Sequence, residues 1–361
     1  MIMKRHAIVV FLLFTLLHKT TQQFFAIIKL KEFKKLCTIF LVFTCISCNS
    51  QPSFGLSHLL LEKTIHLAGI KGRIDHMDVN LKDQIVYMAA LGNNSLEIIS
   101  LANATTIHSI KNLDEPQGVA YLPQHNEIFI ANGGNGVCNF YNAQDFKKIA
   151  AVNLSSDADD VRYDSADKKI YVGYGTGGIA IIDADTHKQI GDIKLPAHPE
   201  GFQIDKSLNR LYVNLPDADK IGVVDVNKQQ LIALWNNVSK ANFPMAIDTA
   251  NHYIFVGYRS PAKLAVIDGR TGKIVSTFAM VSDADDLYYD EDSQQAFVSG
   301  GGGTVQLFRK EGNKYKQVAS ITTRSGGRTS LLIPQLKFFV LAERAAQNKE
   351  AELLVYKIVK E

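Results

Sequence analysis

An apolar-aromatic-apolar triplet returns seven times along this chain at almost constant distance, and a period that long leaves few folds open. Its aromatic residue is Tyr87, Phe129, Tyr171, Tyr212, Phe255, Phe297 and Phe339, in steps of 42, 42, 41, 43, 42 and 42 residues. About twelve residues before each aromatic lies a segment that starts polar and turns apolar: RIDHMDV, EPQGVAY, DADDVRY, HPEGFQI, NFPMAID, DADDLYY and GRTSLLI. After each triplet a Gly, Asn or Ser turn leads to another strand pattern such as LEIISL or IAIIDA. Most units then close on a further run such as HKQIGDIKL. Four short strands in most repeats predict an all-β chain built of blades.

A single four-stranded sheet with two apolar faces cannot bury both in water, so blades must stack, and closing the stack into a ring removes its two exposed ends. The predicted fold is a seven-bladed β-propeller of four-stranded blades over residues 57–361. Its last unit stops after AELLVYKIV with three strands. The missing strand is expected at the other end of the chain, in Leu59–Leu67. Paired beside Leu353–Val359, this N-terminal strand would complete the last blade and close the ring.

Residues 1–48 differ in kind. Two apolar runs, each shorter than the roughly 20 residues of a membrane-spanning helix, flank the basic cluster Lys29, Lys31, Lys34 and Lys35. A basic region before a short apolar one reads as an export signal, cleaved from the mature chain. Its end, Cys45-Ile46-Ser47-Cys48, resembles a bacterial lipobox. That likeness makes Cys48 the expected lipidation site, residues 49–56 a short linker, and the protein a periplasmic or cell-envelope lipoprotein that meets the membrane only through its anchor. Cys37 and Cys45 leave with the signal, so Cys138 is left without a disulfide partner. Removing the seven basic residues and one acidic residue of 1–48 from the 39 and 36 of the whole chain leaves 32 and 35. A nucleic-acid partner is not expected of so weakly acidic a surface.

The short segments YVG, FIAN and YVN after an inner strand resemble the YVTN-type β-propeller repeat family, and the likeness covers nearly all of residues 57–361. It implies architecture rather than activity, since such frames bind, scaffold or catalyse. In propellers generally, the loops entering the inner strands ring the mouth of the central channel. That analogy gathers Arg73, Asp75, His76, Gln117, Asp159, Asp160, His198, Glu200, Asn242, Asp285, Asp286 and Arg328 as candidate ligand-binding residues.

Two of these segments nearly repeat each other: SDADDVRYD at 156–164 and SDADDLYYD at 282–290. Three blades apart, they should face one another across the channel. Converging carboxylates repel unless a cation, arginines or protons compensate. Asp159, Asp160, Glu200, Asp285 and Asp286 therefore form a candidate metal set for a divalent cation such as Ca²⁺ or Mg²⁺, and with His76 and His198 added a transition metal becomes conceivable. The alternative is that Asp side chains only accept backbone hydrogen bonds and shape turns, with Arg73, Arg162 and Arg328 neutralising the rest. Both stay open on sequence alone.

Gly173–Gly178 has GxGxxG spacing but runs from strand to strand, without the helix a dinucleotide site requires. It is expected to be a hairpin turn, as is Gly300–Gly303. Cys138 falls within a strand and is read as packing. His66 and His108 fall in outer strands and His125, His187 and His252 in hairpin turns, where solvated surface is expected. The reading that follows is a monomeric, non-catalytic binding or scaffolding module for a small molecule or protein at the propeller face. Its rivals are a metal-dependent lactonase, lyase or hydrolase with His76 or His198 moving a proton, and an accessory subunit of a redox enzyme like the propeller chain of methylamine dehydrogenase.

Overall fold

The strands differ in pattern according to their place in each blade. Middle strands are apolar almost throughout and buried on both faces, as in Glu127–Asn132 and Gln295–Gly300. Outer strands alternate in and out, as in Gln230–Asn236. A strand covered on both sides needs the first pattern, and one at a solvated rim needs the second.

The computed structural model describes residues 57–312, 314–346 and 348–360. The leader over 1–48, the lipidation site Cys48 and the linker 49–56 lie outside the described residues. Among those described, 28 strands form seven four-stranded antiparallel sheets. Six sheets take their strands in chain order: blade 1 over 77–110, blade 2 over 116–153, blade 3 over 158–194, blade 4 over 202–236, blade 5 over 240–279 and blade 6 over 284–322. The seventh combines Thr329–Ile333, Phe338–Glu343 and Ala351–Lys360 with Ser57–Leu67 from the chain's other end.

The closing strand runs antiparallel to Ala351–Lys360, with Leu59 opposite Ile358 and Ile65 opposite Leu353. It also carries a signature of equivalence. In each of the other six blades the outermost strand pair holds one register shift, for example at Ile98/Ile99, Ile181/Ile182 and Leu307/Phe308. The pair formed by the N-terminal strand shifts in the same way between Leu61 and Lys63. A bulge adds twist where a blade meets the rim, so this strand takes the place of a fourth strand in shape as well as in pairing.

The core lies between blades rather than within one. Seven apolar clusters are present among the described residues, and each straddles two neighbours, including one that joins blade 7 to blade 1 through Leu331, Val340, Val86 and Met88. The seven repeat aromatics are all at most 2% exposed. They set the spacing between blades, which is why the triplet recurs so regularly. Buried Cys138 belongs to the cluster between blades 2 and 3, where burial pushes its thiol up, far from thiolate chemistry.

Candidate functional site

All seven inner strands contribute to one central cavity of about 870 Å³. Eight of the twelve sequence candidates line it: Arg73, Asp75, His76, Asp159, Asp160, Glu200, Asp285 and Asp286. The two acidic segments do meet there, because the His76 imidazole lies between them. Its Nε2 is 3.8 Å from Asp159 Oδ1 and 3.9 Å from Asp160 Oδ1, while Nδ1 is 3.8 Å from Asp286 Oδ1.

Within each segment the three carboxylates have separate tasks. The first, Asp157 or Asp283, sits at φ of 41° or 52°. Asp is among the few residues that tolerate this left-handed turn. Next, pairing with the second strand skips from Ala158 to Val161 in blade 3 and from Ala284 to Asp286 in blade 6. In a regular strand Asp159 and Asp160 would face opposite sides of the sheet. The bulge lets both border the channel, as it does Asp285 and Asp286. The third carboxylate ties its blade to the next: Asp160 Oδ2 accepts the Phe202 N–H at 3.3 Å, and Asp286 Oδ2 accepts the Ser330 N–H at 2.6 Å. Asp78 repeats the device in blade 1, accepting the Tyr121 N–H at 2.6 Å. Turn-shaping and cavity-facing positions thus occur together in one nine-residue segment.

The middle carboxylates differ most. Asp285 is held by two arginines, Arg259 through Nη2 and Arg328 through Nε at 2.9 Å, and Arg328 Nη1 also reaches Asp283 at 2.8 Å. The Arg259 guanidinium is in turn stacked 3.7 Å from the centre of the Phe243 ring. Among the described residues, Asp159 has no arginine within ion-pairing distance. It lies 3.9 Å from His198 Nε2, and its Oδ1, nine-tenths buried with the rest of the residue, has no hydrogen-bond donor. One twin is neutralised by arginines, and the other has imidazoles beside it instead.

The titration behaviour follows from this arrangement. Burial pushes the Glu200 carboxyl up to about 8, with Asp159 adding to the rise. Burial likewise raises Asp75 to about 7, against the pull of His76 and with the push of Asp159. Burial disfavours a charged His198, yet Asp159, the Gly175 carbonyl and Asp157 outweigh it and raise the ring to about 9. Burial also opposes ionisation of Asp159, but His198 and His76 together hold its carboxyl below the usual range. Glu200 and Asp75 thus keep their protons to higher pH than free carboxyls, and the imidazole of His198 also releases its proton late.

Four candidates lie outside the cavity lining. Asn242 is fully buried in a brace of side-chain amides, donating to Asn214 Oδ1 at 3.0 Å and to the Lys220 carbonyl, so it fixes the start of blade 5 and does not face a ligand. Gln117 donates to Asp157 Oδ1 at 3.4 Å. Arg328 serves the acidic segment of blade 6, and His198 stands behind Asp159. The expected metal set changes accordingly. Asp160, Asp285 and Asp286 are committed to backbone N–H groups or arginines, whereas Asp159, His198 and Glu200 can bring one donor atom each within 4.8 Å of one another. Three histidines expected on solvated surface are instead part-buried against carboxylates of a neighbouring blade: His125 with Asp185 at 2.6 Å, His187 with Glu127 at 2.9 Å and His252 with Asp205 at 2.6 Å.

Arg259, Phe243 and Asp78 join the site without having been candidates. Arg259 ends the second strand of blade 5, and antiparallel pairing of Ser260 with Lys240 carries that end to the mouth. Every blade's second strand returns to the mouth in this way, a signal that the repeat already contained.

No protein-family model matches the chain, and no curated protein matches it. Among solved structures, a chain in the "Crystal Structure of Mitotic Checkpoint Complex" is similar with a TM-score of 0.70 at 14% identity, covering 86% of this chain and 95% of that one. Fold and neighbour define one class, the seven-bladed β-propeller. At that identity the likeness is one of fold alone.

Proposed function

We propose that this protein is an exported, lipid-anchored propeller of the YVTN-repeat type whose channel mouth binds a small positively charged ligand without transforming it. The observation that carries the reading is the unequal treatment of the acidic twins. A frame that needed both clusters only as turns would neutralise both with arginines, yet Asp159 and Glu200 border the cavity with no arginine partner among the described residues. The cavity volume is in the range of small-molecule sites. Tyrosine hydroxyls along the channel are engaged elsewhere, Tyr288 with the Ser330 carbonyl, Tyr163 with Gln124 and Tyr121 with Asn126, which favours holding a ligand over proton transfer.

Thermal unfolding in a panel of small organic cations and size-matched anions tests this. Amines such as putrescine should raise the melting temperature, and Asp159→Asn should remove the effect. Stabilisation by anions alone would contradict it. A second reading, a metal-dependent lactonase, lyase or hydrolase, is favoured by the three-residue donor set beside His76. Turnover of a lactone ester that requires His76 and an added divalent ion would move the assignment to that class. Membership of the structural neighbour in a protein complex is compatible with a protein partner at the rim, and pull-down with propeller-face variants addresses it. Mass spectrometry of the membrane-bound form would find a diacylated Cys48 at the mature N-terminus. A chain that begins elsewhere and carries no lipid would refute the anchor.

A further inference from the structure

We propose that Asp159, His198 and Glu200 form a site for one divalent first-row transition-metal ion, of the Zn²⁺ or Mn²⁺ kind, at the mouth of the channel. The proposal rests on the binding reading, since it names the cation which that same site receives.

Three features carry it. The donor atoms of the three side chains lie within 4.8 Å of one another, so small side-chain movements bring them around one ion. His198 is already oriented as a ligand: its Nδ1 lies 2.6 Å from the Gly175 carbonyl, and in the neutral ring Nδ1–H donates there. Such a hydrogen bond from the far ring nitrogen fixes the tautomer and leaves the Nε2 lone pair facing Asp159, 3.9 Å from Oδ2. Finally, Asp159 Oδ1 is a buried carboxylate oxygen with no donor among the described residues, on a residue only 9% exposed. An isolated buried lone pair is costly, and an ion held by this carboxylate would supply what the fold does not.

The donor set also selects the metal. Two carboxylates balance a divalent charge, and one imidazole among three protein donors favours a borderline ion over Ca²⁺, which takes six to eight oxygens. Asp159 and Glu200 both border the cavity, so the remaining coordination positions open toward the channel. The twin in blade 6 shows the contrast: where blade 3 presents Asp159 to His198, blade 6 presents Asp285 to Arg259 and Arg328. The guanidinium groups occupy the place of a cation there.

The test uses the full chain, stripped with EDTA and dialysed, and titrated calorimetrically with Zn²⁺, Mn²⁺, Mg²⁺ and Ca²⁺. One equivalent of Zn²⁺ or Mn²⁺ is expected, weakened by at least about 10-fold in Asp159→Asn, Glu200→Gln and His198→Ala, and unchanged in Asp185→Asn, whose carboxylate lies beside His125 and away from the cavity. Because a variant may lose its fold, Co²⁺ titration of the wild-type chain gives an independent readout: a visible absorption band that Zn²⁺ displaces. Absence of binding by the stripped wild-type chain overturns the proposal, as does affinity undiminished in folded Glu200→Gln and His198→Ala. Binding of Ca²⁺ or Mg²⁺ without preference for Zn²⁺ or Mn²⁺ overturns the assignment of His198 as a ligand. If organic cations bind through Asp159 and metals do not, this proposal fails while the binding reading stands. If neither binds, both fail.

Discussion

Shortening Ile65 to alanine removes apolar contact where the ring closes. Ile65 is 1% exposed, stands opposite Leu353 and packs into the cluster that joins blade 7 to blade 1. Loss of a buried isoleucine side chain in such a core costs about 2–5 kcal/mol, because transfer and cavity contributions add. With unfolding entropy near 2.1 cal/mol/K per residue, a ring of about 300 residues loses about 5 °C in melting temperature for 3 kcal/mol. The same strand provides its control. Leu60 is 58% exposed, and Leu60→Ala should stay within about 0.5 kcal/mol of the parent. Scanning calorimetry and urea titration of both variants would measure the difference. Equal losses at the two positions, or silence at both, would refute the stated register and with it the strand's role. Deleting residues 56–68 should go further and abolish the single cooperative transition.

Other outcomes follow from the channel and the blade interfaces. Asp286→Ala leaves the buried Ser330 N–H without its acceptor and should cost roughly 1–3 kcal/mol, read by urea denaturation. Gly118→Ala would place a methyl carbon about 2.0 Å from the Asp159 carbonyl oxygen across the blade 2 to blade 3 contact, so reduced stability and a displaced Asp159 are expected. The pH dependence of the metal-free protein has a definite sign. Asp75 and Glu200, raised to about 7 and 8, bind protons in the folded chain that the unfolded chain has already lost, so they erode stability as pH rises from the ordinary carboxylate range to those values. His198, raised to about 9, contributes stability in full below about 6.5 and loses it as pH rises through 9. Melting temperatures should therefore fall between about pH 5 and 9, and a rise over that interval would contradict the channel electrostatics. Asp205 acts at the other end: burial opposes its charge, but His252 and Ser207 lower its carboxyl, so its contribution disappears on acidification below about pH 4.

The repeat made blade number, blade phase and ring closure legible, because inter-blade packing demands a large aromatic at one place in each unit. It also brought the two acidic segments to one channel, since 126 residues is three blades. What it did not separate was the work of adjacent aspartates. Asp159 and Asp160 are neighbours of one type, and only a bulge and a contact from the next blade make one face the cavity as a free acceptor and the other a tie to Phe202. Asn242 was misplaced for a similar reason: its position in the unit matches the mouth, but its amide finds Asn214 first. The histidines at 125, 187 and 252 sit in turns as their neighbours implied. Their partners, though, come from units 47 to 60 residues away, beyond the reach of local pattern.

The central claim is that, among the described residues, Glu200 has no ion-pairing partner and Asp159 only imidazoles beside it, while two arginines hold Asp285, so that one side of the mouth stays open to a cation at the expense of stability. Urea denaturation at pH 8 to 9, without metal, of Glu200→Gln alongside Asp285→Asn measures this directly. The first substitution should stabilise the ring and the second destabilise it, by roughly 1–3 kcal/mol, by taking a partner from two arginines. Equal destabilisation by both would show that Glu200 is as fully satisfied as Asp285, and that the mouth holds no open place for a cation.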